Sequence, residues 1–224
     1  MGPATISQEA DDFTVDFNRR IGERLTAVFA TEQARLRSEG IPVVSVALGA
    51  NLPNAPLLDA HGSPAWLYDA LGSDAAVIVF YRGAWCPYCN LALAHYQREL
   101  LPRLLERGLG LVAISPQTPT SSNLSIAEGA LEFMVLSDPA NFLATALGIL
   151  TEPTPEVRIA QTELGFDLAD SNADDTGGIP FPTVLVVDSD RIVRFADVQV
   201  DYTRRTEVPD ILAAVDALEQ RKVE

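Results

Sequence analysis

The feature that most constrains the fold is a pair of cysteines between an apolar, strand-like run and a helix-like segment. Residues 75–81 read AAVIVFY, which has the length and the β-branched and aromatic content of a buried strand. RGAWCPYC follows at once, and the pattern from Asn90 to Arg107 is helical, with Leu91, Ala94, Leu101, Leu104 and Leu105 available for its inner face. Cys86 and Cys89 therefore lie at a strand-to-helix junction, a position that is typical of redox-active dithiols.

This position predicts how the two cysteines react. A thiolate, and not a thiol, attacks a disulfide or a peroxide. At the start of a helix the unpaired backbone N–H groups and the helix dipole favour an anion, so we expect Cys86 to be the attacking thiolate. Cys89, one turn further along, is expected to close a disulfide with Cys86. Pro87 restricts the backbone at this turn.

The sequence leaves open the roles of two residues beside the cysteines. Arg82 either adds positive charge near Cys86 or points into solvent. Trp85 either offers a partner a flat apolar surface beside the dithiol or packs in the core. The alternative to a reactive pair is two inert, buried thiols, although two small apolar residues would fill a core equally well.

The scarcity of cysteine and histidine excludes two classes of site. The 224 residues include two cysteines and two histidines. A secreted disulfide scaffold needs more cysteines, and a structural zinc site needs further ligands. His95 is expected on the helix side opposite to Cys86, and His61 beside Gly62 is interpreted as a turn residue. We predict no metal and no cofactor.

The charge of the chain limits its partners. A formal net charge of −15 disfavours nucleic acid and anionic membranes, because both would repel this surface. No apolar run reaches membrane-spanning length, and the first residues lack a basic region followed by an apolar run. We therefore expect a cytoplasmic protein without a membrane segment.

The order of predicted elements favours an α/β fold with a central mixed sheet flanked by helices. Residues 1–42 form an N-terminal helical extension, with a helical pattern from Ser7 to Glu39 that packs on the main domain or serves a homodimer contact. Residues 43–224 form the main domain, which carries a polar, Pro- and Gly-rich insertion at about 148–180, and residues 41–74 are interpreted as connection. Further strands are predicted at 110–115, 131–136, 182–188 and 191–198, and further helices at 121–129, 141–147 and 209–222.

The dithiol segment resembles known active sites. Trp85-Cys86-Pro87-Tyr88-Cys89 is similar to the active site of thioredoxin-fold oxidoreductases, and CPYC resembles the glutaredoxin tetrad. Phe181-Pro182-Thr183 opens an apolar strand, as the cis-proline loop of that fold does. The resemblance implies that Pro182 is cis and lies against the dithiol, and that the backbone of the preceding residue pairs with an extended substrate.

A longer stretch, from about Leu57 to Leu218, resembles peroxiredoxin-like proteins of the alkyl hydroperoxide reductase and thiol-specific antioxidant family. The likeness is carried by the strand before the cysteines, GLGLVAIS, LSDP at 136–139, TVLVVDSDRIVRFADV, and the tail at 201–207. It implies a thioredoxin-like fold and a thiol-dependent oxidoreductase.

The chain departs from the family pattern at the residues that orient a peroxide. Peroxiredoxins typically place a Pro seven residues and a Thr or Ser three residues before the reactive cysteine, where this chain has Val79 and Gly83. The arginine that opens their later strand corresponds to Pro182. Thioredoxin's buried carboxylate is replaced by Phe80.

Three functions remain as hypotheses. The leading one is a thiol–disulfide oxidoreductase that uses Cys86 and Cys89 to reduce disulfides. The second is a hydroperoxide peroxidase in which the same cysteines pass through a sulfenic acid to a disulfide. Both draw electrons from an external thioredoxin-, glutathione- or other thiol-linked reductant. The third is a redox sensor that changes its binding to a partner.

Overall fold

The computed structural model describes residues 4–42, 46–173 and 176–221. The helices are α1 (Ile6–Glu39), α2 (Leu67–Leu71), α3 (Pro87–His95), α4 (Leu101–Leu105), α5 (Pro119–Gly129), α6 (Phe142–Ala146), α7 (Pro155–Glu163), α8 (Leu168–Ser171) and α9 (Val208–Arg221). The strands are β1 (Pro56–Leu58), β2 (Pro64–Trp66), β3 (Ala76–Phe80), β4 (Gly110–Ser115), β5 (Met134–Ser137), β6 (Leu150–Thr151), β7 (Ile179–Pro180), β8 (Thr183–Val187) and β9 (Val193–Val198). A π-helical turn, Tyr96–Leu100, joins α3 to α4, and a short 3₁₀ turn, Pro139–Asn141, precedes α6.

Seven of these strands form one mixed sheet in the order β2-β1-β5-β4-β3-β8-β9. Strand β4 runs parallel to both β3 and β5, whereas β8 is antiparallel to β3 and to β9. The predicted mixed sheet flanked by helices is confirmed. Because β3 and β4 are central and covered on both faces, β3 and residues 111–114 of β4 are continuously apolar.

Alternate residues of β3 pack into two separate cores. Val77 and Val79 face a core that contains the two cysteines, residues of the segment 87–104, and α9. Ile78 and Phe80 face a second core, against residues of α2 and α6. The period-two alternation of a strand therefore places the segment that follows β3 at one edge of the first core.

The N-terminal extension is helical, as predicted, but its helix is broken. Gly22 has φ 79° and ψ 169°, which is not helical and which side-chain-bearing residues rarely adopt. Thr5 caps the first turn through a reciprocal bond pair with Gln8. The break lets the two halves of α1 lie across the main domain at different angles.

The helix after the cysteines begins earlier than predicted and buries a different face. It starts at Pro87. A proline is tolerated at this first position because its missing N–H would have no partner within the helix. Of the predicted inner-face residues, Leu101 and Leu104 are buried, Leu91 and Ala94 are half-buried, and Leu105 is exposed. The π-helical turn contains an i→i+5 pattern that rotates the face, and a regular 3.6-residue period does not anticipate this.

The segments interpreted as connection and insertion contain regular structure. Residues 41–74 contain the hairpin of β1 and β2 and helix α2, while His61 lies in the predicted turn, where its N–H donates to Asp59 Oδ1 at 2.8 Å. The 148–180 segment contains α7, α8 and the two-stranded sheet of β6 and β7.

In the part of the chain that the structure describes, no helix combines the length and the apolar character that a membrane crossing requires. The described residues also contain no group of three or more His, Cys, Asp or Glu side chains arranged to hold a metal ion.

Candidate functional site

Both cysteines lie at the junction between β3 and α3. Cys86 is the residue that caps α3, and Cys89 lies on its first turn. Their side chains are only 1% and 0% exposed, and both are free thiols. The Cys86 sulfur accepts no backbone N–H from the helix. The helix amides expected to stabilise a Cys86 thiolate therefore do not bond to it.

A buried arginine near the C-terminal end of the chain, and not the helix amides, donates hydrogen bonds to the sulfurs. Arg205 directs its Nη2 to the sulfur of Cys89 at 2.9 Å and to that of Cys86 at 3.7 Å. The same guanidinium is anchored by bonds that it donates to the carbonyl oxygens of Tyr202 and Arg204. The sequence reasoning missed Arg205. Its only signal was its place in the family-like tail at 201–207, to which the sequence assigned no role.

The electrostatics give the pair one negative charge. Burial, together with the hydrogen bond and negative charge of Cys89, holds the pKa of Cys86 well above its ordinary value. Burial opposes ionisation of Cys89 too, but the Cys86 hydrogen bond and the Arg205 charge bring the pKa of Cys89 well below its ordinary value. These directions place the negative charge of the pair on Cys89, with the Cys86 thiol as the donor of the hydrogen bond between the two sulfurs.

The loop that carries Cys86 is held by a buried amide. Gln117 Oε1 accepts the N–H of Ala84 at 2.8 Å, while Gln117 Nε2 donates to the Tyr81 hydroxyl at 2.7 Å. Asn90 Nδ2 donates to the carbonyl oxygen of Ala84 at 2.8 Å. These bonds fix the backbone just before Cys86. Gln117 follows β4 and carries no motif that marks it in the sequence.

Arg82 does not point into solvent, and Trp85 is half-buried against the edge of the first core. The Arg82 guanidinium lies between two rings, 4.9 Å from the centroid of Trp85 and 4.8 Å from that of Tyr202. Trp85 is half-buried and stacks on Phe166, with the ring centroids 4.9 Å apart. Phe166 belongs to the 148–180 segment, so this segment forms part of the site.

A cavity of about 810 Å³ opens over Cys86. We call residues 82–89 with Arg205 the floor, and α1 with residues 148–180 the roof. Cys86, Pro87 and Tyr88 line the cavity from the floor, whereas Cys89 does not reach it. The roof contributes mainly apolar and aromatic side chains, among them Phe13, Phe17, Ile21, Phe29, Val157 and Phe166. Its size is that of a small-molecule site.

A family model described as the AhpC/TSA family matches residues 48–196, which is more than half of the chain. The chain belongs to the AhpC/TSA family. A comparison with curated proteins found no match. Proteins of this family are thiol-dependent oxidoreductases, and this chain is one of them.

Solved structures of peroxiredoxins share the fold. Peroxidoxin BcpB from Mycobacterium tuberculosis matches with a TM-score of 0.58 and 21% identity, covering 77% of this chain and 97% of its own. Reduced Prx3 of Vibrio vulnificus in complex with H₂O₂ matches with a TM-score of 0.59 and 20% identity, covering 75% and 98%. AhpC of Enterococcus faecalis matches with a TM-score of 0.60 and 15% identity, covering 78% and 93%. The thioredoxin-like, peroxiredoxin-like fold is thereby confirmed.

Two expectations for Pro182 in this AhpC/TSA protein are wrong. The described residues contain no cis peptide bond, so Pro182 is trans. The backbone of Phe181 is also not free for a substrate, because its N–H donates to Ile149 O at 2.7 Å and its carbonyl oxygen accepts the Thr183 hydroxyl at 2.9 Å. Pro182 lines the cavity, and its carbonyl oxygen accepts the N–H of Gln199 at 2.8 Å, whereas Thr183 is buried as the first residue of β8.

Packing explains why this AhpC/TSA protein has Gly83 where the family pattern has a Thr or Ser. Gly83 has φ 143°, and a Cβ there would lie 2.5 Å from Trp85 Nε1, so a Thr or Ser does not fit. Val79 is buried in the first core, and Phe80 in the second, on the face of the sheet away from the cysteines. Phe80 therefore supplies no proton-transfer group.

Proposed function

We propose that this protein reduces hydroperoxides, with Cys86 as the nucleophile and Cys89 as the resolving thiol. The observation that carries the proposal is the position of Cys86 at the bottom of a cavity of about 810 Å³, beside a buried guanidinium. A small molecule reaches a buried sulfur through such a cavity, whereas a folded protein disulfide needs an exposed one. Membership of the AhpC/TSA family supports the same choice.

The reaction uses the shared proton of the pair. With the charge on Cys86, its sulfur attacks the outer oxygen of R–O–OH, the O–O bond breaks, and Cys86 becomes a sulfenic acid. The departing alkoxide takes the hydroxyl proton of the transferred oxygen and leaves as the alcohol, and Cys89, which does not line the cavity, gives its own proton to the Cys86 sulfenate. The Cys89 thiolate then attacks the sulfur of Cys86, which forms the disulfide and releases hydroxide, protonated to water. An external dithiol returns two electrons and two protons.

Arg205 and Arg82 take the place of the missing family residues in this proposal. The Arg205 charge keeps the dithiol ionised, since its Nη2 lies within 4 Å of both sulfurs, at 2.9 and 3.7 Å. Arg82 also lowers the pKa of Cys86 through its charge, against the stronger effect of burial. Positive charge beside the sulfur likewise favours the developing alkoxide.

Stopped-flow oxidation of the reduced protein by cumene hydroperoxide and by H₂O₂ tests this proposal. We expect wild type to be oxidised much faster than a free thiol and to form the 86–89 disulfide. Cys86→Ser should show no oxidation above background, and Cys89→Ser should stop at a sulfenic acid that dimedone traps. Oxidation no faster than that of a free thiol would contradict the proposal.

Disulfide reduction is the second candidate, and the proximity of the two sulfurs favours it. Both lie within reach of one Arg205 nitrogen, so the pair is placed to exchange with a bound disulfide. Reduction of a small aromatic disulfide, measured beside the peroxide rates, separates the two. A disulfide rate constant above the peroxide one would reverse our preference.

A further inference from the structure

The cavity over Cys86 holds a positive charge that the described residues leave unbalanced. Arg82 is only 9% exposed, and within the described ranges its guanidinium makes no ion pair and donates no hydrogen bond. Its recorded contacts are the faces of Trp85 and Tyr202. A buried guanidinium without an anion is costly, so this arrangement favours binding of an anion from outside.

The dithiol does not supply that anion. The pair carries one negative charge, and Arg205 lies directly against it, 2.9 Å from the Cys89 sulfur. Two buried guanidiniums, Arg82 and Arg205, therefore face one thiolate. One positive charge remains, and of these two guanidiniums Arg82 is the one that lines the cavity.

The acidic side chains of the cavity wall are already paired with other arginines. Asp11 bonds Arg204 at 2.9 Å, Glu32 bonds Arg35 at 2.9 Å, and Asp201 bonds Arg37 at 2.6 Å. These pairs neutralise one another and leave the charge of Arg82 uncovered. The cavity therefore has an excess of positive charge, although the formal net charge of the whole chain is −15.

The other walls are suited to an apolar body. Phe13 and Phe17 stack with ring centroids 5.5 Å apart, and Phe29 lies 6.4 Å from Phe17. All three line the cavity and are only partly buried, and the stacked rings of Trp85 and Phe166 line it as well. The α1 residues lie outside the segment that matches the AhpC/TSA model, so this wall is an addition to the family domain.

We infer that the cavity binds an amphipathic monocarboxylate, with its carboxylate at Arg82 and its apolar chain along the aromatic side chains of α1. A planar guanidinium matches a carboxylate through two parallel hydrogen bonds, and the flanking rings hold it in place. The inference rests on the proposed function, which it deepens: the hydroperoxides that reach Cys86 are those of molecules with this shape and charge.

Binding of unreactive carboxylates tests the inference without turnover. Titration calorimetry on the reduced full-length protein would use decanoate, butyrate and decanol as probes. We expect decanoate to bind at least about tenfold more tightly than butyrate, because each buried methylene adds affinity. Decanol, which lacks the charge, should bind at least about tenfold more weakly than decanoate, as loss of a charged hydrogen bond predicts.

Two variants of equal charge locate the carboxylate. Arg82→Gln should weaken decanoate binding at least about tenfold. Arg204→Gln removes the same charge from the same cavity, but from an arginine already paired with Asp11, and should leave binding within about twofold. Equal losses in both variants, or binding of decanol as tight as that of decanoate, would overturn the inference.

The outcome is separable from that of the proposed function. Decanoate binding with no peroxide reduction would support the cavity assignment and remove the peroxidase. Fast peroxide reduction without decanoate binding would support the peroxidase and overturn the assignment of the cavity to a carboxylate. Phe17→Gln, at a half-exposed position of the aromatic wall, should weaken decanoate binding.

Discussion

The floor and the roof of the cavity are built in different ways. The floor is held by short bonds between buried groups, such as the Gln117 bond to Ala84 at 2.8 Å and the Arg205 contact with Cys89 at 2.9 Å. The roof helix α1 has only six buried residues in a span of 34 and is interrupted at Gly22. This contrast assigns reactivity of the sulfur to a rigid floor, and recognition of the ligand's apolar chain to a more loosely packed roof.

The largest expected effect comes from removing the charge of the floor. Arg205→Gln takes a charged hydrogen bond from the dithiol, so we expect the oxidation rate at neutral pH to fall about 10- to 100-fold. The cause is a raised pKa of the pair, so the rate should recover as pH rises. Stopped-flow oxidation against pH measures both.

Arg205→Lys serves as the control, because it keeps the charge without the planar fork and should retain more of the rate. A uniform loss at every pH in Arg205→Gln would point to damaged packing instead of altered ionisation. Decanoate binding should persist in both variants if the roof and Arg82 govern it.

The second expected effect is a pH dependence of the free energy of unfolding, caused by the two cysteines of the floor. The lowered pKa of Cys89 means that stability is gained as pH rises and is lost as pH falls through the native value. The raised pKa of Cys86 means that stability is lost again as pH rises past the unfolded value of about 8.5. The contribution of the dithiol to the stability of the reduced protein should therefore be largest near pH 8.5.

Chemical denaturation across pH, compared with the Cys86→Ser, Cys89→Ser double variant, isolates this contribution. The difference in unfolding free energy should change by at most about 1.4 kcal/mol per pH unit on each side, because one proton is involved. A difference that is flat with pH would show that the folded dithiol titrates like an unfolded one.

The sequence predicts the local parts of the site but not the contacts between residues far apart in the chain. The strand before the cysteines, the dithiol junction and the mixed sheet follow from local apolar patterns, which report burial directly. Arg205 does not, because it lies 116 residues from Cys89 and only the fold brings the two together. The same holds for Gln117 and for the stacking of Phe166 on Trp85.

The errors in prediction have identifiable causes. The buried face of the helix after the dithiol was displaced by a π-helical turn at Tyr96–Leu100, which no apolar period reveals. The break at Gly22 was hidden because the apolar spacing continues on both sides of it. Pro182 was predicted to be cis by resemblance, but the chain around it pairs through Phe181 and Gln199.

The roof is tested most directly at its break. Gly22→Ala places a side chain at φ 79° and ψ 169°, which should cost about 1–3 kcal/mol although its Cβ meets open space. Straightening or shifting α1 should also weaken decanoate binding. Denaturation and calorimetry measure the two effects separately.

Gly40→Ala is the matched control for this change. Gly40 has φ 70° and ψ −168°, also with open space for a Cβ, but it follows the end of α1 instead of interrupting the helix. It should cost similar stability while leaving ligand binding unchanged. Equal losses of binding in both variants would show that α1 acts through stability alone.

The smallest effect concerns the bond that joins roof to floor. The Thr14 hydroxyl donates to Ala10 O at 2.7 Å, so it accepts the Tyr88 hydroxyl, which lies 2.9 Å away. Tyr88→Phe removes this bond at a net cost of about 0.5–1.5 kcal/mol. The ring remains in its edge-on contact with Phe13, at 5.2 Å between centroids, so the apolar packing is kept.

A double-mutant cycle with Thr14→Val isolates the bond from its surroundings. We expect a coupling energy of about 0.5–1.5 kcal/mol in unfolding, and little change in the rate with H₂O₂, because neither hydroxyl touches a sulfur. Decanoate affinity should fall slightly in each single variant and no further in the double. A coupling energy near zero would mean that α1 is held over the floor by its aromatic contacts alone, which would place the selectivity of the cavity in Phe13 and Phe17.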